Sequence, residues 1–223
     1  MQIEPLGDNA LLLRLGDSID AAMNRRILAL AAHIEAHRPA WLIDCVPAYA
    51  SLAIFIDSEA FARSPDPLID AEAWLRHTIG SASAVATDSS QRVVEIPVHY
   101  GGEDGPDLDA LARELNIATN ELIVRHCAPL YQVAMLGFAP GFPYLLGLDP
   151  VLHAARLTTP RQAVAAGSVG IGGGQTGIYP CISPGGWRLI GRTSLPQFDA
   201  ERNPPSLLQA GDRVRFIVVN PLA

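Results

Sequence analysis

Glycine is concentrated in one segment of this 223-residue chain, and most of the 19 glycines lie between Tyr131 and Arg192. Because glycine weakens helices and strands, it collects where the backbone turns sharply or where another group comes close to it. Short strands joined by tight turns are therefore expected here. Five aromatic residues between these glycines are interpreted as the walls of a ligand cleft, with a packed aromatic core as the alternative: Phe138, Phe142, Tyr144, Tyr179 and Trp187.

The charged residues limit the chemistry that this chain can perform. Its net charge of −7 argues against nucleic acid or an anionic membrane as the main partner. All 16 basic residues are arginine. The chain therefore supplies no P-loop lysine and no lysine for a Schiff base or for biotin. Arginine, backbone N–H groups or a partner must hold any phosphate or carboxylate.

Cysteine spacing and hydropathy indicate a cellular compartment. Cys45, Cys127 and Cys181 are far apart and form no CxxC pair, which disfavours a disulfide framework or a zinc site. His33 and His37 lie one helical turn apart but have no third ligand near them, so we expect exposed helix residues and no metal site. No run approaches the roughly 20 apolar residues of a membrane span, and the first residues lack signal-peptide features. These features predict a reduced, cytoplasmic protein.

The first 90 residues alternate between strand and helix patterns. The predicted elements are strands at 10–15, 41–46 and 51–56 and helices at 18–37 and 67–79, and a further strand at 93–96 follows. Ser18 is expected to cap the first helix, with Ile19 on its buried face. If residues 93–96 close the sheet or bridge to the next domain, this order predicts an α+β domain of ferredoxin-like type.

A small polar segment separates the two halves of the chain. Residues 80–90 have the composition of a linker, so we predict one domain over 1–86 and a second over 91–223. In the second domain, one short helix is predicted at 108–115 and another after Thr119 as its cap. The short β runs that follow predict a β-barrel with these two helices on its side.

Two glycine motifs of the second half match catalytic patterns without their structural context. Residues 172–177 fit G-x-G-x-x-G, but the sequence that follows cannot form the helix that a dinucleotide site requires. Residues 166–170 narrowly miss the nucleophile elbow of hydrolases, and again no helix follows. Ser168 is therefore interpreted as a structural or ligand-binding hydroxyl.

Three polar residues near the glycine block each have two interpretations. His126 is either a core or capping histidine, or a cleft histidine that donates to a substrate or moves a proton. Arg161 and Arg192 either bind a carboxylate or phosphate, or form salt bridges with acidic residues of the chain. The residues alone predict a two-domain protein with a small-molecule cleft in its β-rich half.

The motifs of the glycine block closely resemble those of a known family. They are Met135–Leu145 (MLGFAPGFPYL), Ala166–Ile171 (AGSVGI), Gly173–Pro180 (GGQTGIYP), Ser183–Arg192 (SPGGWRLIGR) and Gly211–Phe216 (GDRVRF). On these motifs the chain is identified as a member of the family that comprises the PxpB component of 5-oxoprolinase, KipI and allophanate hydrolase subunit 1, over essentially its whole length. The resemblance implies a cyclophilin-like barrel preceded by a smaller α/β domain.

This resemblance implies a subunit rather than a self-sufficient enzyme. It implies a PxpC/KipA-like partner and a PxpA-like subunit, which together with this chain convert 5-oxo-L-proline to L-glutamate. ATP, with Mg²⁺, is expected to bind in the complex rather than to this chain alone. Two alternatives stay open: a KipI-like inhibitor that binds a sensor histidine kinase, and a subunit of a urea or allophanate pathway.

From the resemblance we hypothesise a composite site at the subunit interface. His126, Gln175 and Arg192 are the expected catalytic residues, and the backbone N–H groups of 167–174 are expected to donate to the ligand. The expected substrate-binding residues are Phe138, Pro140, Phe142, Tyr144, Arg161, Gly167, Ser168, Thr176, Tyr179 and Trp187.

Overall fold

The computed structural model describes residues 1–61, 64–81 and 92–219. The chain divides into two compact units, 1–90 and 91–223. Gly80 and Ser81 end a helix, and the rest of the predicted linker lies outside the described residues, so the predicted domain limits stay a prediction. The described part of the chain contains no helix that is long and apolar enough to cross a membrane.

The first unit is a four-stranded antiparallel sheet with two helices. Its elements are β1 (Gln2–Pro5), β2 (Ala10–Arg14), α1 (Ala21–Ala36), β3 (Leu42–Pro47), β4 (Ser51–Ile56), a 3-10 helix (Ser58–Phe61) and α2 (Pro67–Ser81). The sheet order is β1-β2-β4-β3. Alternate residues of β4 are buried, and they pack with Ile27 and Ile34 of α1 and with Ala71 and Leu75 of α2. The predicted helical spacing thus places these four residues in the core.

The start of α1 differs from the prediction. Asp20 rather than Ser18 caps this helix, because its carboxylate accepts the N–H of Met23 at 2.7 Å. Ile19 consequently precedes the helix and is 58% exposed. The predicted position of Ile19 on the buried face is therefore wrong.

The structure does not confirm the ferredoxin-like topology of the first unit. Residues 93–96, predicted either to close this sheet or to bridge to the next domain, begin β5 (Val93–Tyr100) of the second unit. The place beside β2 at the edge of the first sheet is taken by β1. The side chains of β1 are mostly exposed, so this strand has no apolar alternation by which the sequence could reveal it.

The second unit is built on a closed barrel, as predicted. Its elements are β5, α3 (Leu108–Glu114), α4 (Thr119–Cys127), β6 (Tyr131–Leu136), β7 (Pro143–Leu146), a 3-10 helix (Pro150–Leu152), β8 (Arg161–Val164), β9 (Ser168–Gly172), β10 (Gln175–Ile178), β11 (Ser183–Gly185), β12 (Arg188–Arg192) and β13 (Arg213–Val218). The barrel order is β10-β7-β6-β13-β5-β12-β9, and β8 and β11 form a separate two-stranded sheet.

Burial alternates along β13 and shows which of its side chains face the barrel core. Val214 and Phe216 are buried in its core, whereas Arg215 between them is exposed.

The two predicted short helices are present, and α3 contacts β12 while α4 contacts β13. Thr119 does not cap α4, because Ala118 occupies that position and the Thr119 hydroxyl donates to Asp109 at 2.9 Å.

Candidate functional site

A cleft of about 470 Å³ lies at the end of the barrel where β5, β12 and β9 meet. Its lining comes from four stretches of the chain: His99, Asp104, Ala166–Gly167 with Pro180, and Arg192–Gln197. Cavities of this size hold small molecules in many proteins. Of the predicted site residues, the structure brings Gly167 and Arg192 together here.

Arg192 supplies the positive charge of this cleft. Its Nη2 pairs with Asp104 Oδ1, and its side chain remains 45% exposed. A guanidinium has five N–H donors and matches a carboxylate in geometry. Arg192 therefore forms the predicted salt bridge. Its guanidinium is also exposed enough to reach a ligand.

Gly167 brings two segments of the cleft wall together. Its φ is +80°, and a Cβ at this position would lie 2.0 Å from the carbonyl oxygen of Thr193. Its N–H donates to the carbonyl of Tyr179 at 2.7 Å, and its own carbonyl accepts the N–H of Thr193 at 2.9 Å. Only glycine tolerates both this conformation and this approach.

The hypothesis that backbone N–H groups of 167–174 hold a ligand stays a prediction, but three of these groups already have partners within the fold. The N–H of Gly167 donates to Tyr179, that of Ser168 to Ala165 and that of Gly173 to Ala154. These three donors serve the barrel itself. Ser168 is buried at the start of β9, so its hydroxyl is not presented at the surface as a nucleophile.

His126 is a core histidine, and the cleft interpretation of this residue is wrong. It is 0% exposed, and its ring packs against Phe216 with centroids 4.6 Å apart. Nδ1 lies 2.8 Å from the hydroxyl of Tyr100, and Nε2 lies 3.0 Å from that of Thr176. Both ring nitrogens are therefore occupied inside the protein.

The hydrogen bonds of this network define the state of the ring. The Thr176 hydroxyl donates to the carbonyl of Gly170 at 3.0 Å. It can then only accept from His126, so Nε2 carries the proton and Nδ1 accepts from Tyr100. Burial lowers the pKa of His126 to about 3, because a charged ring would lose its hydration. The imidazole is neutral and joins α4, β5 and β10.

The aromatic residues of the glycine block form a packed cluster instead of an open cleft. Phe142, Tyr179 and Trp187 are buried, with Tyr144 packed against them. The Phe142 ring lies 5.3 Å from that of Tyr179 and 5.5 Å from that of Trp187, both edge-on. The packed-core alternative therefore describes these four residues.

Phe138 and Pro140 line a second depression of about 370 Å³, formed by residues 136–141 and Ser206. The Phe138 ring borders the cluster, since it lies edge-on 5.4 Å from the ring of Phe142. Phe138 is 60% exposed and has a φ of +68°. Bulky residues rarely adopt this conformation, and such strain collects at functional positions. Phe138 is thus the most exposed of the five predicted aromatic walls.

Arg161 and Gln175 are used within the fold. Arg161 Nη2 pairs with Asp107 Oδ1 at 2.7 Å, and the other oxygen of Asp107 accepts the N–H of Leu189 at 2.7 Å. Arg161 therefore ties β8 to β12, as its salt-bridge interpretation predicts. Gln175 is buried next to Thr176 in β10, away from the lining of the cleft.

Sequence reasoning missed His99, Asp104 and Gln197, which also line the cleft. None of them belongs to a recognisable motif, and they come together only through barrel closure. Across 1–61, 64–81 and 92–219, no group of three or more His, Cys, Asp or Glu side chains is placed to hold a metal ion.

Comparison with known proteins assigns this fold to a family. The sequence model of the carboxyltransferase domain, subdomain C and D, matches residues 1–208, so the chain belongs to this family. Two relatives are named as the B component of 5-oxoprolinase. That of Bacillus subtilis is 44% identical over 98% of this chain and 93% of its own length. That of Haemophilus influenzae is 40% identical over 98% of each chain. The resemblance inferred from the glycine-block motifs is confirmed.

A solved structure shows the same fold within a longer polypeptide. The crystal structure of the protein TTHA0988 matches with a TM-score of 0.80 and 39% identity, over 96% of this chain and 40% of that one. This chain thus spans less than half of that protein.

Proposed function

We propose that this chain is one subunit of an ATP-dependent 5-oxoprolinase, acting with a PxpC/KipA-like and a PxpA-like subunit on 5-oxo-L-proline. The observation that carries the proposal is the near-full-length similarity to proteins named as the B component of 5-oxoprolinase. The incorporation of the same fold in a longer solved chain supports a unit that works beside a further module.

The chemistry explains why several subunits act together. A five-membered lactam is a poor electrophile, and its hydrolysis to glutamate is unfavourable without coupling. ATP would supply that coupling by transferring its γ-phosphoryl group to the amide oxygen, with release of ADP. Water would then add to the activated carbon, the C–N bond would break as the nitrogen takes up a proton, and hydrolysis of the resulting acyl phosphate would give glutamate and phosphate. The sequence has no lysine to place at a phosphate, and the N–H groups of Gly167, Ser168 and Gly173 are engaged within the fold. We therefore assign the nucleotide and Mg²⁺ to the complex and no residue of this chain to them.

The cleft beside Arg192 is the part of this chain that suits the substrate. A carboxylate such as that of 5-oxoproline would face the exposed guanidinium, which pairs with Asp104 when no ligand is bound. His126 and Thr176 act on the cleft only indirectly. His126 accepts from Tyr100, whose chain neighbour His99 lines the cleft, and Thr176 accepts from His126. We therefore assign both as positioning residues.

The test is reconstitution of all three subunits with measurement of glutamate released from 5-oxoproline in the presence of ATP. Arg192→Ala is expected to raise KM for 5-oxoproline at least tenfold, because a charge-assisted hydrogen bond contributes about 1.5–3 kcal/mol. Arg215→Ala is the matched control, since Arg215 is an exposed arginine of β13 outside the cleft. Full activity without this chain, or full activity of this chain alone, would contradict the proposal.

The two alternatives predict other partners. A kinase inhibitor would capture the dimerisation helices of a sensor histidine kinase in a pull-down, whereas an enzyme subunit would capture a carboxyltransferase-like chain. A urea-pathway subunit would instead support turnover of a linear amide in the reconstituted assay. No feature of the cleft favours either alternative over the lactam.

A further inference from the structure

The side-chain amide of Gln197, in the cleft, has a hydrogen-bond partner for its nitrogen but none for its oxygen among the described residues. Gln197 lines the cleft and is only 1% exposed. Its Nε2 donates to the carbonyl of Leu195 at 2.9 Å. Its Oε1 has no hydrogen-bond partner among the described residues.

The assignment of the two amide atoms follows from their surroundings. The Leu195 carbonyl can only accept, so the atom facing it must be the NH₂ group of Gln197. Oε1 is therefore the free acceptor. A buried acceptor without a donor costs about 1–3 kcal/mol, and such groups in folded proteins have a reason to persist. A ligand that donates an N–H to Oε1 provides this reason.

The chain segment that carries Gln197 is held by close packing and by a hydrogen bond. A Cβ at Gly141 would lie 2.9 Å from the Gln197 carbonyl oxygen, so the loop after β6 packs directly on this residue. The Thr193 hydroxyl accepts the N–H of Leu195 at 3.2 Å, which shapes the segment between β12 and Gln197. The acceptor is thus presented by a fixed segment that also carries the end of β12, where Arg192 lies.

We propose that Gln197 is a specificity-determining residue that accepts the ring N–H of a small lactam whose carboxylate faces Arg192. The inference rests on the proposed function and names the part of the substrate that this chain recognises. In 5-oxoproline the ring nitrogen is bonded to the carbon that bears the carboxylate. A ligand of this class therefore offers one donor for Gln197 and one anion for Arg192 from adjacent positions.

The experiment compares wild type and Gln197→Met in the reconstituted three-subunit enzyme, with 5-oxoproline and its N-methyl derivative as substrates. Methionine keeps the size of the side chain and removes the acceptor, together with the Nε2 donor to the Leu195 carbonyl. We expect Gln197→Met to raise KM for 5-oxoproline about tenfold with little change in kcat, the loss that one neutral hydrogen bond represents. Wild type should prefer 5-oxoproline over the N-methyl compound by a similar factor, and the variant should lose this preference.

Two further measurements separate recognition from folding. The unfolding midpoint of Gln197→Met should change little, since the variant loses one hydrogen bond to the Leu195 carbonyl but also removes a buried acceptor that has no partner. Gln209 is exposed and lies outside the cleft, so Gln209→Met should leave KM unchanged. An active enzyme whose Gln197→Met form retains the preference for 5-oxoproline would overturn the role of Gln197 alone. An inactive wild-type complex would overturn the proposed function, and the lactam as ligand with it.

Discussion

At the scale of single residues, the buried imidazole of His126 makes the stability of this protein depend on pH. Burial lowers its pKa from 6.5 to about 3, whereas in the unfolded chain the ring takes up a proton near the ordinary value. Below pH 6.5 the unfolded state therefore binds more protons, and stability is lost progressively as the pH falls towards about 3.

Replacement of this residue should flatten that dependence. Between pH 7 and pH 5, His126 alone is expected to remove about 2 kcal/mol from the free energy of unfolding. His126→Gln should be less stable at pH 7, because the hydroxyls of Tyr100 and Thr176 lose their shared partner, yet should lose less stability on acidification. Urea denaturation at both pH values measures this, with His37→Gln as the control at an exposed histidine. Equal acid losses in wild type and His126→Gln would refute the neutral-core assignment.

The exposed ring of Phe138 and the buried acceptor of Gln197 belong to the same scale. Neither conforms to what sequence patterns predict for its residue type, since a large aromatic side chain is normally buried and a buried amide is normally satisfied. Both lie in or beside the depressions at residues 136–141 and 192–197. Departures of this kind concentrate where a protein contacts a ligand or a partner.

At the scale of elements, the turn before β9 depends on one glycine. In Gly167→Ala the new Cβ would belong to a residue in the left-handed conformation and would lie 2.0 Å from the Thr193 carbonyl oxygen. The ends of β9 and β12 must therefore move apart. We expect a loss of more than about 2 kcal/mol in thermal unfolding. Gly173→Ala is the matched control: its φ is +67° with nothing within 4 Å, so only the conformational cost of about 1 kcal/mol applies. Similar losses in both variants would show that the close approach is absent.

The first turn of α1 tests the revised helix start. Asp20→Ala removes the acceptor for the Met23 N–H and should destabilise the first unit by about 1 kcal/mol. Ser18→Ala should change its stability by less than about 0.5 kcal/mol, because this side chain lies outside the helix. Thermal unfolding followed by circular dichroism measures both, and a larger effect of Ser18→Ala would restore the original assignment.

At the scale of the whole molecule, the sequence predicted a barrel but not all of its strands. The glycine-rich turns and the alternation in β13 suffice for the prediction, since both are local. The sheet that residues 93–96 join is not determined locally. They belong to β5, which pairs in parallel with β13 from Val93 to Val98, and β13 lies at the other end of the second unit. A strand signal alone does not say which sheet it joins.

The candidate site was predicted only in part for a similar reason. Gly167 and Arg192 are found in the cleft. Most of the aromatic residues predicted to line it instead form a packed cluster, because the glycines of the strands allow the rings to approach the barrel backbone. A Cβ at Gly172 would lie 2.7 Å from the Trp187 ring. The same composition, rings beside bare backbone, is compatible with a cleft and with a core, and sequence spacing cannot distinguish them.

The sequence by itself determined the chemistry that this chain lacks, the family it belongs to and the segment where its backbone must turn, because these follow from residue identity and local conformational preference. Only the tertiary structure decided that His126 is enclosed, that Arg161 ties two strands together, and that Asp104, Arg192 and Gln197 share a cleft. The physical reason is that burial and opposite-charge pairing arise from contacts between segments far apart in sequence, which closure of the barrel creates.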